Sequence, residues 1–160
     1  MSIRRCITAA LLMGATGIAF AQQAPAPAAP AAQQLTAEQK AQILTQNRQM
    51  IAAAMQVAQM IDQGKAGDVW DGFSPVAKPV ISRADFVRTV NAERARTGAV
   101  VSRTPEAITR TTGSGQTPPG YYINISFATR FVRLKAPVHE LISFHLDQDK
   151  RWRVTGYNLR

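Results

Sequence analysis

Glu140 is the residue whose type and position most clearly allow chemistry. In an alternating strand its carboxylate shares a face with three large apolar side chains, Ile142, Phe144 and Leu146. Burying an unpaired carboxylate is costly, so this group must be protonated, paired with a cation or placed at the rim of a cavity. The aromatic residues expected around such a cavity are Tyr121, Trp152 and Trp70. An acid in an aromatic-lined cleft is typical of a small-ligand site, and it could also act as a general acid or base.

Glu140 also has structural interpretations. An ion pair with an arginine of a helix would satisfy the carboxylate without any ligand. A position at the end of the strand would let the carboxylate reach water. No nucleophile with an adjacent base and an oxyanion hole is recognisable elsewhere, so the sequence predicts no catalytic residue, no cofactor and no metal site.

His139 and His145 are the two histidines, and both are predicted on the outer face of the same strand. Their separation spans roughly 20 Å at about 3.3 Å per residue, so one metal ion cannot bind both. His145 lies near Asp147 and could form an acid–base couple with it, although a hydrogen-bonded surface histidine is the more ordinary arrangement. Asp147 and Asp149 fit a polar turn better than a calcium loop, because the other ligands of such a loop are missing.

The N-terminus has the pattern of a secretory signal peptide over residues 1–21. Arg4 and Arg5 precede an apolar run that ends at Phe20, and Ala19-Phe20-Ala21 fits the small-residue rule for signal peptidase. The run is short for a membrane-spanning helix, so an uncleaved anchor is the weaker interpretation. Cleavage would remove Cys6, the single cysteine, and leave a soluble periplasmic or secreted protein. Thiol catalysis and zinc sites made of cysteines are then excluded.

Residues 22–34 read QQAPAPAAPAAQQ, a tract without charge or large apolar side chains. Such a tract cannot bury anything and is predicted to be a disordered linker. The remaining residues, 35–160, are enough for a single domain with its own core and too few for two ordinary domains. After signal cleavage no apolar run is long enough to span a membrane.

A basic surface is predicted on the open face of the sheet. It consists of Arg130, Arg133, Arg151 and Arg153, with Lys135 and Lys150 nearby. The formal net charge of the chain is +9, which favours anionic partners such as an anionic envelope polymer. The alternative is a solvated charged face that binds nothing. Because no long Lys/Arg block occurs and the protein is predicted to be exported, no physiological nucleic-acid partner is expected.

Three helices are predicted in the first half of the domain. Thr36 and Gln39 have the spacing of a capping box, and apolar residues then recur at three- and four-residue steps to about Gln63. The first half of this long helix is polar, so it could project from the domain and pair with a copy of itself in a homodimer. A second helical piece is predicted over 65–73, and a third helix over 83–96.

Beyond Gly98 the apolar period changes from helical to alternating. Four strands are predicted, over residues 100–112, 121–133, 138–146 and 151–159. Bulges are expected around Pro105, which cannot donate to a ladder, and at Gly156, where the apolar phase shifts. These elements predict an α+β domain in which three helices pack on one face of a four-stranded antiparallel sheet. The opposite face is predicted to be wet and basic.

A set of short motifs is spread over most of the predicted domain. It comprises Ile61-Asp62-Gln63-Gly64, Trp70, the Ser82 helix with Gly98, Ser102-Arg103, Tyr121-Tyr122, Phe127, Phe131, Glu140, and Asp147 followed by Arg151-Trp152-Arg153-Val154 and Gly156-Tyr157. With these motifs, roughly residues 50–160 resemble a family of exported bacterial proteins known as domain of unknown function 4019 (DUF4019). The resemblance implies a cystatin-like or NTF2-like fold, in which a long N-terminal helix wraps on a curved sheet. Such folds include enzymes, ligand-binding modules and structural partners.

Three hypotheses about function follow. The first is an exported accessory or binding module without evident catalysis, which binds an unknown envelope protein or a small ligand in a cleft between the long helix and the sheet. The second is a small-pocket enzyme of the NTF2-like class that uses Glu140 as acid or base. The third is a homo-oligomeric structural protein that associates through the first helix.

Overall fold

The computed structural model describes residues 34–160. The predicted signal peptide, and the predicted linker up to residue 33, lie outside the described residues. Leu35–Arg160 forms one compact unit. None of the helices in the described range combines the length and the hydrophobicity needed to cross a bilayer.

The longest helix, α1, spans Ala37–Asp62 and begins at the predicted capping box. The N–H of Gln39 donates to Thr36 Oγ1 at 3.2 Å, and the N–H of Thr36 donates to Gln39 Oε1 at 2.9 Å. The buried residues of α1 all lie in its second half and are Met50, Ala54, Val57, Ala58 and Ile61. The apolar stripe therefore packs the C-terminal half of α1 into the core, and most of the first half is exposed.

Two shorter helices, α2 (Ala66–Asp71) and α3 (Arg83–Thr97), pack beside one another. Ser82 caps α3 by accepting a hydrogen bond from the N–H of Asp85 at 3.1 Å. Phe73, just after α2, meets Phe86 of α3 edge-on, with ring centroids 4.9 Å apart. α3 ends at Gly98, where φ is +76° and ψ is −158°, a conformation open essentially to glycine alone. The chain can therefore turn from α3 into the sheet at this residue.

The four strands form an antiparallel meander in chain order. They are β1 (Val100–Thr112), β2 (Tyr121–Phe131), β3 (Val138–Leu146) and β4 (Trp152–Leu159). The predicted α+β class, with three helices and a four-stranded antiparallel sheet, is confirmed. The register shifts beside Pro105 and beside Gly156, which leaves Glu106 and Thr155 as the extra residues. The bulge at Thr155 keeps Val154 and Tyr157 on one face, and this explains the shift of apolar phase.

The core lies between the helices and one face of the sheet. Of the strands, β2 contributes the most buried residues on this face, with Ile123, Ile125, Phe127, Thr129 and Phe131. Glu140 is paired with Phe127 across the β2–β3 ladder, so its side chain points to the same face. Alternation therefore placed Glu140 correctly among the core residues.

After α2 the chain runs along the edge of β4 and reaches the sheet face that α1 does not cover, here termed the outer face. Phe73 forms a parallel bridge with Val154, and the N–H of Ser74 donates to the Val154 carbonyl at 2.8 Å. Residues 74–81, the covering segment, then approach the end of the outer face that contains Tyr122 and Ser143. One end of the outer face is thereby covered.

This arrangement corrects the prediction of an outer face that is wet along its whole length. His145 is only 6% exposed, because the covering segment and the Gly120 loop lie against it. Arg130 and His139, toward the other end of the sheet, are exposed as expected. The sequence did not indicate the cover, because residues 74–81 have neither an alternating nor a helical apolar pattern.

Gly98→Ala should lower the free energy of unfolding by about 1–3 kcal/mol, because the backbone conformation is strained for any residue with a Cβ. The new Cβ would also lie 2.7 Å from Val132 Cγ2. Gly156→Ala is the matched control, since a Cβ there meets no atom within 4 Å. Urea unfolding followed by circular dichroism measures both variants. Equal stabilities would contradict the conclusion that the conformation at Gly98 requires glycine.

Candidate functional site

Glu140 lies at the centre of a buried hydrogen-bond network to which every strand contributes one side chain. Arg103 of β1 donates to Glu140 Oε2 through Nε at 2.5 Å and to Oε1 through Nη2 at 3.0 Å. Thr129 of β2 donates to Oε2 at 2.7 Å, and Tyr157 of β4 donates to Oε1 at 2.8 Å. Glu140 itself is 0% exposed. Both carboxylate oxygens are therefore satisfied inside the protein.

The network continues from Arg103 to the last residue of α1. Arg103 Nη1 donates to Asp62 Oδ2 at 3.0 Å, and Nη2 donates to Oδ1 at 3.1 Å. Arg94 of α3 lies 2.8 Å from the same Oδ1. A carboxylate at a helix C-terminus is destabilised by the negative end of the helix dipole, and the two guanidinium groups offset this repulsion. Two carboxylates and two guanidiniums make the network neutral as a whole.

The pKa shifts within the network favour a charged Arg103 and a protonated Tyr157. Burial alone would lower the pKa of Arg103, but its hydrogen bonds to Asp62 and Glu140 outweigh burial and raise that pKa. Burial and the negative charge of Glu140 raise the pKa of Tyr157 far above its ordinary value. Tyr157 therefore stays protonated and keeps donating to Glu140 near neutral pH.

The structure places Glu140 in this network and away from the aromatic residues expected around it. Of the alternatives that the sequence left open, the observed one is an ion pair, although Arg103 lies on a strand and not on a helix. Trp70 lies elsewhere, where its Nε1 donates to the Ile81 carbonyl at 3.0 Å and Lys78 Nζ is 5.0 Å from the ring centroid. Glu140 thus does not line a cavity with Tyr121, Trp152 or Trp70.

Asp147 is the centre of a second network, at the other end of β3. Its Oδ1 accepts a hydrogen bond from Ser74 Oγ at 2.5 Å and lies 2.7 Å from His145 Nδ1. Arg153 Nη1 donates to Asp147 Oδ2 at 2.6 Å, and its Nη2 donates to Asp149 Oδ2 at the same distance. Burial would raise the pKa of Asp147, but the bonds from Ser74, His145 and Arg153 hold it below its ordinary value.

Ser74, His145 and Asp147 are the residue types of a catalytic triad, but their geometry is different. In a triad the serine lies on the Nε2 side of the imidazole and the aspartate on the Nδ1 side. Here Ser74 Oγ is 3.5 Å from His145 Nδ1, so both partners lie on the Nδ1 side. Nε2 faces Gly120, where even a Cβ would come within 2.2 Å. The group therefore anchors the covering segment to the sheet and has no room for a substrate at Nε2.

The four arginines of the predicted basic surface do not form one field. Arg130 and Arg133 lie at the end of β2, whereas Arg151 and Arg153 flank the β3–β4 turn. The two ends are about 25 Å apart at about 3.3 Å per residue. Arg153 is also neutralised by its two aspartates. Alternation alone could not show this, because it places residues on a face but does not say which charges lie nearby.

Tyr121 and Trp152 do line a common cavity of about 590 Å³ at one end of the sheet, mainly on the α1 side. Its other lining residues are Arg110, Thr111, Thr112, Tyr122, Ile123 and Leu146, and we call it the Arg110 cavity. Arg110 Nη2 donates to Gln46 Oε1 at 2.8 Å and to Asn47 Oδ1 at 2.6 Å, both on α1. Sequence reasoning missed Arg110, although its position two residues after Ile108 places it on the helix-facing side of β1.

Glu140→Gln should lower the free energy of unfolding by about 3–5 kcal/mol, because the network would then hold two guanidinium groups and a single carboxylate, that of Asp62. Glu106→Gln is the matched control: its pair with His139 is exposed and should contribute about 0–1 kcal/mol. Chemical unfolding measures both. A loss for Glu140→Gln no larger than that for Glu106→Gln would show that the network does not stabilise the fold.

The Asp147 network should make stability fall in acid. A carboxylate whose folded pKa is depressed adds stability above its unfolded pKa, here near 3.8, and this stability is lost as the pH falls through the folded pKa. Arg153 also lowers the pKa of Asp149 to about 2. Arg153→Leu should therefore flatten the fall in unfolding free energy below about pH 4. The exposed Arg151→Leu is the control, and identical pH profiles for the two variants would contradict the assignment.

The model of a known protein family matches most of the described domain. The family model described as a protein of unknown function (DUF4019) matches residues 53–157. No match is found among curated proteins. The matched range contains both networks, and several motifs behind the resemblance are their members, including Asp62, Arg103, Glu140, Asp147 and Arg153. The chain therefore belongs to the DUF4019 family of proteins of unknown function.

Proposed function

We propose that this protein is an exported binding module, periplasmic or secreted, which holds a small amphipathic anion in the Arg110 cavity. No catalytic step is part of the proposal. The observation that carries it is a guanidinium that two amide side chains hold at the edge of an aromatic-lined cavity.

The charge of Arg110 supports an anionic ligand. Among the residues that the structure describes, no carboxylate forms an ion pair with Arg110. Gln46 and Asn47 accept its hydrogen bonds through neutral oxygens, so they fix the guanidinium without cancelling its charge. A planar guanidinium fixed in this way suits a carboxylate, sulfonate or phosphate group.

The rest of the lining supports an apolar or aromatic body for the ligand. Ile123 and Leu146 line the cavity together with Tyr121 and Trp152. Tyr121 is 65% exposed, so a ligand could cover part of its ring. The volume of about 590 Å³ is within the usual range of about 300–1,000 Å³ for small-molecule sites.

Binding is favoured over catalysis by where the ionisable groups lie. Among the residues of the described domain, no carboxylate or imidazole lines the Arg110 cavity. Glu140 and His145, the acid–base candidates from the sequence, are buried in networks that consume their hydrogen bonds or block their access. The guanidinium and the phenols that remain suit recognition better than proton transfer near neutral pH.

Export rests on the signal-peptide pattern of residues 1–21. When the full-length chain is expressed, the protein recovered from the bacterial periplasm or medium should have Gln22 as its first residue. N-terminal sequencing of the recovered protein, compared with a variant in which Ala19 and Ala21 are replaced by arginine, tests this part of the proposal. Recovery of the wild-type chain only in the cytoplasm with Met1 retained would contradict it.

Binding of naphthalene-2-sulfonate, an aromatic anion, tests the ligand site. Arg110→Gln should weaken its binding roughly tenfold to a hundredfold, as expected for a lost hydrogen bond between charged groups. The neutral 2-naphthalenemethanol should bind more weakly and should not respond to Arg110→Gln. Titration calorimetry measures the affinities.

Arg151→Gln provides the matched control, because it removes the same charge from an exposed position at the β3–β4 turn. Its affinity for naphthalene-2-sulfonate should equal that of the wild type. Equal losses in Arg110→Gln and Arg151→Gln would reduce the effect to net charge and overturn the proposed site.

A further inference from the structure

A second cavity, of about 420 Å³, opens on the outer face of the sheet. It lies between the covering segment and the loop of residues 113–120, and we call it the outer-face cavity. Its lining residues are Val76, Ala77, Val80, Ile81, Thr111, Gln116, Thr117, Pro118, Tyr122, Asn124, Ser143, Thr155 and Gly156. Neither the sequence patterns nor the proposed anion site assigns a role to it.

The floor of this cavity carries neutral polar side chains with unused hydrogen-bonding capacity. Asn124 and Ser143 are directly opposite one another in the β2–β3 ladder, and Thr155 follows on β4. All three are half-buried. Tyr122 donates to the Pro118 carbonyl at 2.9 Å, but within the described residues no side-chain hydrogen bond involves Asn124, Ser143 or Thr155.

The wall opposite the floor is apolar. The covering segment contributes Val76, Ala77, Val80 and Ile81. Val80 is 73% exposed and therefore presents apolar surface that a ligand could cover. A ligand that fills the cavity would therefore meet hydrogen-bonding groups on one side and aliphatic carbon on the other.

In the part of the chain that the structure describes, no residue lining the outer-face cavity is an aspartate, glutamate, lysine, arginine or histidine. A charged ligand would lose its hydration without gaining a counter-charge, which is costly. The hydroxyl and amide groups of the floor can both donate and accept, so they match ligand groups that do the same. Sugar hydroxyls have this property, and a sugar ring also carries an apolar face of C–H groups.

From these observations we propose that the outer-face cavity binds a neutral carbohydrate. The hydroxyls at one edge of the sugar would bond to Asn124, Ser143 and Thr155, and its C–H face would pack on Val76 and Val80. The site is independent of the Arg110 cavity, because the two lie mainly on opposite faces of the sheet and share only Thr111 and Tyr122 as lining residues.

Gly156 allows a direct test, because it lines the cavity and a Cβ added there meets no atom within 4 Å. Gly156→Leu should fill the cavity without disturbing the sheet, and Gly156→Ala should leave most of it open. The probe is methyl β-glucopyranoside, titrated into the isotope-labelled full chain and followed by two-dimensional amide NMR. Methyl β-glucuronide, which differs by a carboxylate, and N-acetyl-alanyl-alanine amide, a neutral peptide, are the comparison ligands.

The expected result is a saturable shift of the Asn124, Ser143 and Gly156 amide signals in the millimolar range with the neutral glucoside. Gly156→Leu should weaken this binding at least roughly tenfold, and Gly156→Ala should leave it within roughly twofold. The glucuronide and the peptide should bind more weakly. Stronger binding of either comparison ligand, absence of saturable shifts with the glucoside, or equal affinities for the leucine and alanine variants would overturn the proposal.

Discussion

The buried charge of Glu140 is the constraint on which the rest of this structure depends. A carboxylate with no exposed surface is tolerated only when a cation and hydrogen-bond donors reach both of its oxygens. Arg103, Thr129 and Tyr157 meet this condition, and they come from the three other strands. Hydrogen bonds to this one side chain therefore fix the register of all four strands. Arg103 also bonds to Asp62 and so connects the sheet to the end of α1.

The Asp147 network connects the covering segment to the outer face, just as the Glu140 network connects the four strands in the core. Asp147 joins Ser74, His145 and Arg153, and it thereby fixes the beginning of the covering segment on the sheet. This segment buries His145 and forms the apolar wall of the outer-face cavity. The two networks lie at opposite ends of β3, so the positions of the helices and of the covering segment are set by separate charge clusters.

The elements of the fold could be predicted from the sequence because each depends on local signals. β1 and β3 begin and end where alternation and the Gly and Pro residues indicated, and the bulge at Thr155 lies one residue from the expected position at Gly156. The same local pattern placed Glu140 on the core face. These predictions needed no knowledge of which strands are neighbours.

The predictions about sites depended on long-range contacts, and here the sequence was less informative. Arg103 lies 37 residues from Glu140, and Arg110 lies more than 60 residues from Gln46 and Asn47, so neither pairing follows from a local period. Tyr121 and Trp152 were expected together and do share a cavity, whereas Glu140 and Trp70 do not line it. The burial of His145 depends on the covering segment, whose path no apolar period reveals.

The long sequence separations within the Glu140 network also bear on when the chain can fold. The contacts between Asp62 and Arg103 and between Arg103 and Glu140 close loops of 41 and 37 residues, and the hydroxyl of Tyr157 is added from the final strand. Closing such loops is slow compared with forming a helix or a hairpin. A chain emerging N-terminus first from a ribosome can pair Glu140 with Arg103 and Thr129 before β4 is free, but it cannot complete the network until Tyr157 is free. The network should therefore be completed only late in folding, when all four strands are available to pair.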